Sequence, residues 1–309
     1  MNVVKYHKSN DIVLFQKEDI ASKLLIAKDF ICNEFIHGGH LLSLGCSAIV
    51  LSTMLLVNTL IRWEFLVIVY LGTYCIYNYD HYKGLNIDSL NNSYRSNHLK
   101  KYHKFLPVII IIYVVGFFSL LIAFGNFQSL IFGGALLFFG LFYTHKVKKM
   151  TEKIVGFKNF YTSLSIASLI LFTGIYCSYP IGLVLLLLFV FMFFRLMVNT
   201  CFCDIKDMDI DRKYRIKTFP AILGKEKFLS VLHMINILSF IPLLMGVYLH
   251  ILPIFSLLLV TSIVYCFYYI QKAKNQETNI QSLSSIMVDG EFALWPFILF
   301  VGSSLPALL

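Results

Sequence analysis

The chain has 309 residues, a mean hydropathy of +0.74, 58% hydrophobic residues and only 14% charged residues. An average soluble domain has about 25% charged residues, so this composition excludes an ordinary soluble domain and indicates an integral membrane protein in contact with a lipid bilayer. Lys and Arg number 26 against 17 Asp and Glu, but no basic stripe with interleaved aromatic residues stands apart from the apolar runs, so we expect no nucleic-acid partner.

Apolar runs long enough to cross a hydrocarbon core of about 30 Å recur along the chain. Before them, the region from about Glu18 to His37 mixes charges with short apolar pieces, which is typical of an amphipathic helix on the membrane surface. Nine runs follow, at about 40–61, 64–80, 105–125, 127–144, 159–177, 180–203, 227–247, 249–270 and 290–308. Strand alternation is absent, so the sequence predicts an all-α polytopic membrane bundle. We divide the chain into a cytoplasmic or interfacial segment at 1–39 and a membrane domain at 40–309.

The connections between these runs alternate in charge. Those after the second, fourth, sixth and eighth runs hold nearly all of the Lys and Arg residues, whereas the opposite connections are short and, apart from Arg62, almost free of them. Because basic loops stay in the cytoplasm, this pattern predicts that the N-terminus and the basic loops are cytoplasmic and the C-terminus lies outside.

The first polar island, YCIYNYDHYKGLNIDSLNNSYRSNHLKKYHK, follows the second run. Asp80 and Asp88 lie two turns apart, with about 80° of drift between them if the segment is helical. Arg95 follows, and an arginine suits bidentate binding of phosphate. The alternative interpretation is that Asn78 and Asp80 cap the end of a span and that the rest is a solvated loop.

The second polar island, at 195–227, follows the sixth run and faces the same side. On one continuous helix Asp204, Asp207 and Asp211 share an arc of about 60°, and Asp209 falls on the other side. Carboxylates on one face repel one another unless a cation lies between them, and oxygen ligands of this kind suit Mg²⁺ together with a diphosphate. The alternative is an ordinary solvated loop in which these acids pair with the neighbouring Lys and Arg residues.

Arg195 lies inside the sixth run, one turn before Asn199. A charge at that depth normally faces a cavity or a partner, so the sequence predicts a polar-cavity or phosphate-facing position. An internal ion pair and snorkelling toward the surface are the alternatives.

The two islands resemble the motifs of the UbiA superfamily of intramembrane prenyltransferases, whose members have nine spans around a central cavity and two Asp-rich motifs at the cytoplasmic ends of the second and sixth helices. The second island, DIKDMDIDR followed by IKTFP and LG, is similar to the DxxxD helix and the KT-x-P-x-x-LG loop of that family. A looser match is Tyr143-Thr144-His145-Lys146, which is similar to a Tyr and a Lys a few residues later at the end of the fourth helix, and the spacing leaves open whether Lys146 or Lys148 takes that position.

The first island matches the family pattern N-x-x-x-D-x-x-x-D-x-x-N-x-x-x-R only in part. Asp88, Asn91 and Arg95 occupy its last three fixed positions, but Asp80 occupies the Asn position and Gly84 the central Asp position. This departure removes one expected carboxylate. It leaves open three possibilities: that Asp80 takes over as a ligand, that the first metal is held more weakly, or that the chemistry differs from ordinary prenyl transfer.

The resemblance implies Mg²⁺-dependent transfer of a prenyl group from an isoprenyl diphosphate to an aromatic or other lipophilic acceptor within the membrane. A terpene cyclase acting on the diphosphate alone, or a non-catalytic membrane protein on the same scaffold, are the alternatives. The expected metal ligands are Asp80, Asp88, Asp204, Asp207 and Asp211, and the first two and last two of these are the expected catalytic residues. The expected diphosphate-binding residues are Asn91, Arg95, Lys146, Arg195, Asn199 and Lys217.

Overall fold

Helices form all of the regular structure in the part of the chain described here. The structure is a computed structural model that describes residues 31–91, 93–145, 147–275 and 277–305, without the side chains at 86–94 and 145–149. No strand occurs within these ranges, so the prediction of an all-α protein is confirmed. Residues 1–30, which include most of the predicted interfacial helix, lie outside them.

The first half of the bundle runs from α1 to α6. These helices are α1, which includes Ile31–His37, α2 (His40–Leu56), α3 (Trp63–Asn91), α4 (Ser93–Lys100), α5 (Leu106–Phe124) and α6 (Phe127–His145). The long helix α3 packs against α2, α5 and α6. Helix α5 has Pro107 in its first turn, where a missing N–H removes no hydrogen bond from the helix.

The second half runs from α7 to α15. These helices are α7 (Phe157–Tyr176), α8 (Leu183–Cys203), α9 (Met208–Lys213), α10 (Phe219–Leu223), α11 (Lys225–Leu238), α12 (Ile241–Tyr248), α13 (Thr261–Lys274), α14 (Ile280–Leu283) and α15 (Trp295–Ser303). Segments of 3₁₀ helix interrupt the α-helices at Asp204–Asp207 and Ile254–Val260, and a π-helical turn lies at Ser284–Val288. The last of these precedes the α15 region, which packs back on α2.

Seven helical segments in the described ranges are long and apolar enough to cross a membrane. The number rises to eight if α1 and α2, which are bent by 59° from each other, are taken as one broken span. Helix α3 has 29 residues but carries Asn78 and Asp80, and it is not among the eight. The protein is therefore a multi-pass membrane protein, and the count of nine transmembrane helices stays a prediction.

Buried aromatic side chains pack the helices of the second half against α8. Phe191 of α8 packs against Phe240 and Trp295, which brings α12 and α15 to one side of α8. Further along α8, Phe202 packs on Tyr269 of α13. Since lipid tails are as apolar as these side chains, close packing rather than the hydrophobic effect holds such helices together. This packing fixes the end of α8, from which the second polar island continues.

Candidate functional site

The second island does not continue α8 as one regular helix. After Cys203 the chain tightens into the turn Asp204–Asp207 and then forms α9. In a 3₁₀ turn side chains three residues apart eclipse each other, so Asp204 and Asp207 lie more nearly on one line than on an α-helix. Asp204 is fully buried and Asp211 is 6% exposed, whereas the side chain of Asp209 is 89% exposed and lies 3.7 Å from Arg212. Asp209 therefore lies on a different side from Asp204 and Asp211, as predicted. The segment that carries them is a 3₁₀ turn followed by a short helix, however, and not one continuous α-helix.

Asp204 is held by the start of α7. The ammonium of Lys158 lies 3.1 Å from Oδ1, and the amide of Asn159 donates to Oδ2 at 2.8 Å. A buried carboxylate needs such partners, because an unpaired charge in a low-dielectric interior is strongly unfavourable. Lys158 also lies within electrostatic range of Asp207. The two residues at the start of α7 therefore fix the first acidic residue of the second island.

Asp211 is held by the loop that follows it. The hydroxyl of Thr218 donates to Oδ2 of Asp211 at 2.9 Å, and both side chains are buried. The backbone N–H of Gly156 donates to the carbonyl of Lys217 at 2.9 Å. Gly156 has φ 65°, and a Cβ there would lie 2.2 Å from the ring of Phe219, so only glycine lets the loop pack this closely. The KTFP segment therefore fixes Asp211 and ties it to the start of α7.

In the first island, Asp80 accepts a hydrogen bond from the hydroxyl of Thr144 at 3.1 Å, which joins α3 to the end of α6. Arg95 of α4 is buried, at 6% exposure. Its guanidinium lies 3.2 Å from Nε2 of His81 and 5.0 Å from the ring centre of Tyr77, so it is directed at α3. The helix α3 extends past Gly84 to Asn91, which agrees with the helical spacing assumed for this island.

The two islands approach each other around Tyr143. This residue of α6 lies within electrostatic range of Asp80, Asp204 and Lys158. Its hydroxyl is buried and has no hydrogen-bond partner among the described residues. Buried hydroxyls are normally paired, so an orphaned one between two acidic groups indicates a position where a bound ligand supplies the partner.

A second set of groups lies on the side of Arg95. His37 of α1 lies within electrostatic range of Arg95 and Lys206, and so does Asp289, which follows the π-helical turn. The Nδ1 atom of His37 is buried and, within the described ranges, has no hydrogen-bond partner. The structure therefore brings Arg95 of the first island and Lys206 of the second island close to the same two residues, His37 and Asp289.

Arg195 and Asn199 lie apart from this arrangement. Arg195 is fully buried and forms an ion pair with Glu291, with further bonds to Asn236 and Ser239. This is the internal ion pair that the sequence offered as the alternative to a phosphate-facing position. The amide of Asn199 donates at 2.7 Å to the carbonyl of Val288, at the end of the π-helical turn.

Other predicted residues are placed as follows. Lys217 is exposed, and its ammonium bonds to the backbone carbonyl of Lys153 at 3.2 Å. Asp88 and Asn91 belong to α3, but their side chains lie outside the described part of the structure. Lys146 lies outside the described residues altogether.

The donor set suits a hard cation. Within the described ranges, no group of three or more His, Cys, Asp and Glu side chains is set to hold a metal ion. Mg²⁺, however, is usually held by one or two carboxylates together with water and substrate phosphates rather than by an all-protein cage. Asp207, Asp211 and Asp80 offer oxygen atoms of this kind, so these residues fit an ion shared with a phosphate ligand.

The pattern of the sequence did not reveal several residues of this site. Lys158 and Asn159 stand at the start of the fifth apolar run, where a basic residue is ordinary, and nothing in their spacing points to Asp204. His37 and Asp289 are far from the islands in sequence, so only the fold brings them to Arg95 and Lys206. An acidic residue directly before the last apolar run was the one available signal for Asp289.

Comparison with known structures agrees with this architecture. A UbiA homologue from Aeropyrum pernix K1, in its apo form, matches with a TM-score of 0.65 and 13% identity, over 85% of this chain and 96% of that one. A UbiA homologue from Archaeoglobus fulgidus bound to GPP and Mg²⁺ matches with a TM-score of 0.61 and 13% identity, over 88% and 99% of the two chains. A digeranylgeranylglyceryl phosphate synthase matches with a TM-score of 0.57 and 18% identity, over 89% and 99%.

At these low identities the structural likeness establishes the fold alone, and the sequence matches no curated protein. The family is established by a separate comparison. The sequence model of the UbiA prenyltransferase family matches residues 41–295, a stretch that includes both acidic islands and most of the chain. The resemblance seen in the two islands is thus confirmed, and the chain belongs to the UbiA prenyltransferase family.

Proposed function

We propose that this protein transfers a prenyl group from an isoprenyl diphosphate to an aromatic or other lipophilic acceptor within the membrane, and that it requires Mg²⁺. The observation that carries the proposal is the meeting of the two islands around Tyr143, with Asp80 on one side and Asp204 and Lys158 on the other. The A. fulgidus homologue with a similar fold binds GPP and Mg²⁺, which supports a ligand of this class.

The carboxylates that would hold Mg²⁺ are Asp207, Asp211 and Asp80, with Asp204 held beside them by Lys158 and Asn159. Bound Mg²⁺ would neutralise the negative charge that builds up on the leaving diphosphate. Asp88 is proposed as a further ligand from the first motif. Because Asp204 and Asp211 are already fixed by hydrogen bonds, little ordering of the protein would be needed when substrate binds.

Two basic residues, Arg95 and Lys206, complete the proposed diphosphate site. Arg95 and Lys206 each lie within electrostatic range of His37, and their positive charges favour departure of a diphosphate anion when the allylic C–O bond breaks. Asn91, Lys146 and Lys217 are proposed as additional contacts. The Tyr143 hydroxyl, which is buried and orphaned among the described groups, would donate to a phosphate oxygen.

Purified protein should be incubated with prenyl diphosphates of several chain lengths and Mg²⁺, with and without a lipid extract that supplies acceptors. A prenylated adduct formed only with the extract is the expected result. A free cyclic hydrocarbon formed without the extract would identify a cyclase instead. Diphosphate esters that stay intact under every condition would contradict both reactions and favour a non-catalytic role.

A further inference from the structure

The N-terminal helix α1 lies against the first polar island. A bend at Gly38 and Gly39, between α1 and α2, gives it this direction. Gly39 has φ 90°, and a Cβ there would lie 2.4 Å from the ring of Tyr77 in α3. The amide of Asn78 donates to the carbonyl of Gly38 at 3.0 Å. A positive φ and a contact this close both need glycine. The bend is therefore a fixed feature of the fold, and it directs α1 toward α3 and α4.

The carboxylate of Glu34 is where α1 meets α4. One oxygen, Oε2, lies 2.5 Å from Nε2 of His98. The other, Oε1, accepts from the hydroxyl of Tyr102 at 3.3 Å and lies 3.3 Å from Nε2 of His40. Burial raises the pKa of the Tyr102 phenol well above its ordinary value, so this hydroxyl stays protonated and acts as the donor. Glu34 thus joins α1 to α2, to α4 and to the turn after α4.

Helix α4 depends on such contacts. It has only 8 residues, and isolated helices of this length are marginal in water. Its buried face carries Arg95 and His98, which are 6% and 4% exposed and lie three positions apart. Residues at this spacing share one side of a helix, so a contact that holds His98 also holds the position of Arg95.

We propose that Glu34 is a positioning residue for the diphosphate site: through His98 it fixes α4, and thereby it holds Arg95 ready to meet the diphosphate. This inference rests on the proposed function, because it assigns Arg95 to that ligand. An arginine that is already ordered loses less conformational entropy when the ligand binds, so the effect of Glu34 is on binding rather than on the chemical step.

The first test measures binding without turnover. The probe is a non-reactive prenyl thiodiphosphate with Mg²⁺, titrated into the full-length protein in detergent and followed by calorimetry. Glu34→Ala should bind the probe about tenfold more weakly than the wild-type protein, the loss expected when one rotamer-rich side chain has to be ordered on binding. Glu34→Gln, which keeps one acceptor oxygen and the side-chain shape, should recover most of the affinity. Glu226→Ala removes an exposed carboxylate from the start of α11 and should leave the affinity unchanged.

Two further readouts separate this role from a general loss of stability. In a double-mutant cycle, Glu34→Ala and Arg95→Ala should be strongly non-additive, because the first change acts through the second residue. In steady-state assays Glu34→Ala should raise KM for the prenyl diphosphate and leave kcat nearly unchanged. Additive losses of affinity, or a fall in kcat at unchanged KM, would overturn the proposal.

Hydrogen exchange tests the inference independently of any ligand. In Glu34→Ala and in His98→Ala, the amides of α4 should exchange faster, while those of α5 stay as protected as in the wild-type protein. Unchanged exchange in α4, together with wild-type binding of the probe, would refute the positioning role. Failure of the wild-type protein to bind the probe would instead refute the proposed function, and faster exchange of α4 would still be expected in that case.

Discussion

Asp209 and Asp211 are two positions apart, yet their side chains lie in opposite surroundings. Asp211 is buried and accepts a hydrogen bond from Thr218, whereas the side chain of Asp209 is 89% exposed and pairs with Arg212. Exposed pairs of this kind contribute at most about 1 kcal/mol. The two carboxylates therefore provide a matched comparison between a buried group of the proposed site and a group exposed to solvent.

In this segment the position of a carboxylate should matter more for activity than its negative charge. Asp207→Ala and Asp211→Ala should each lower turnover of the prenyl diphosphate by about two to three orders of magnitude, the loss typical of removing one group that stabilises transition-state charge. Asp209→Ala should keep most of the activity, since it deletes an equal charge within the same stretch. The rates should be compared on protein of equal expression and equal melting temperature. Equal damage from Asp209→Ala and Asp207→Ala would contradict the assignment.

Turnover should also depend on a divalent cation. The carboxylates of Asp204 and Asp207 both lie within electrostatic range of Asp211, and a polyanionic diphosphate beside them is unfavourable without a bridging cation. Excess chelator should abolish product formation, and added Mg²⁺ or Mn²⁺ should restore it, as measured by release of diphosphate. Full activity in chelator would rule out the proposed site.

At the residue scale, sequence spacing predicted that Asp209 faces away from Asp204 and Asp211, and their burial agrees, although the segment is a 3₁₀ turn followed by a short helix and not the continuous helix that the prediction assumed. The partners of those acids could not be read in the same way. Lys158 is distant from Asp204 in sequence, and Glu34 is distant from His98, so each pair is a consequence of how whole helices pack. For Arg195 the sequence showed that a charge lies within an apolar run and therefore needs a polar partner. It could not identify that partner, which in the structure is Glu291.

At the scale of elements, the Arg195–Glu291 ion pair joins α8 to the segment that leads into α15. Both side chains are buried, and Tyr269 of α13 donates to the second carboxylate oxygen at 3.1 Å. Asn236 and Ser239 bring the end of α11 to the same guanidinium. Such a pair is sensitive to the loss of one member, because the remaining charge is left in an environment without water.

The destabilisation caused by leaving one of these two charges without its partner can be measured with paired substitutions. Arg195→Met alone should destabilise the protein by about 3–5 kcal/mol, whereas Arg195→Met combined with Glu291→Leu should destabilise it far less. Arg62→Met is the control, since its side chain is 55% exposed and lies 3.8 Å from Glu64. Unfolding in mixed micelles provides the free energies. A rise in KM for the diphosphate without any change in stability would instead support the phosphate-facing position.

At the scale of the whole molecule, the predicted orientation follows from the charges of the loops. The basic connections after the second, fourth, sixth and eighth apolar runs, and with them both acidic islands, are proposed to face the cytoplasm. The C-terminus is proposed to lie on the opposite side. This orientation would expose the proposed diphosphate site to the compartment that contains soluble diphosphates.

Tags at the two ends of the chain would test this orientation. A protease added outside intact cells should remove a tag placed after Leu309 and leave a tag before Met1 untouched, because an odd number of spans puts the ends on opposite sides. Opening the cells should make the N-terminal tag accessible. Cleavage of both tags from one side of sealed vesicles would contradict the nine-span prediction, to which the apolar run 64–80 in the first half of α3 contributes.

The π-helical turn at Ser284–Val288 takes up one residue more than the same stretch of α-helix would. In a continuous α-helix one extra residue would turn every later side chain by about 100°, but a π turn absorbs that residue locally and leaves the later side chains in phase. Deleting a single residue within the turn should therefore restore a regular α-helix and leave Glu291 directed at Arg195. A relative with one residue fewer between its equivalents of Asn279 and Glu291 should accordingly keep the Arg–Glu pair and lack the π turn, so gap placement in an alignment would locate the π turn within the family.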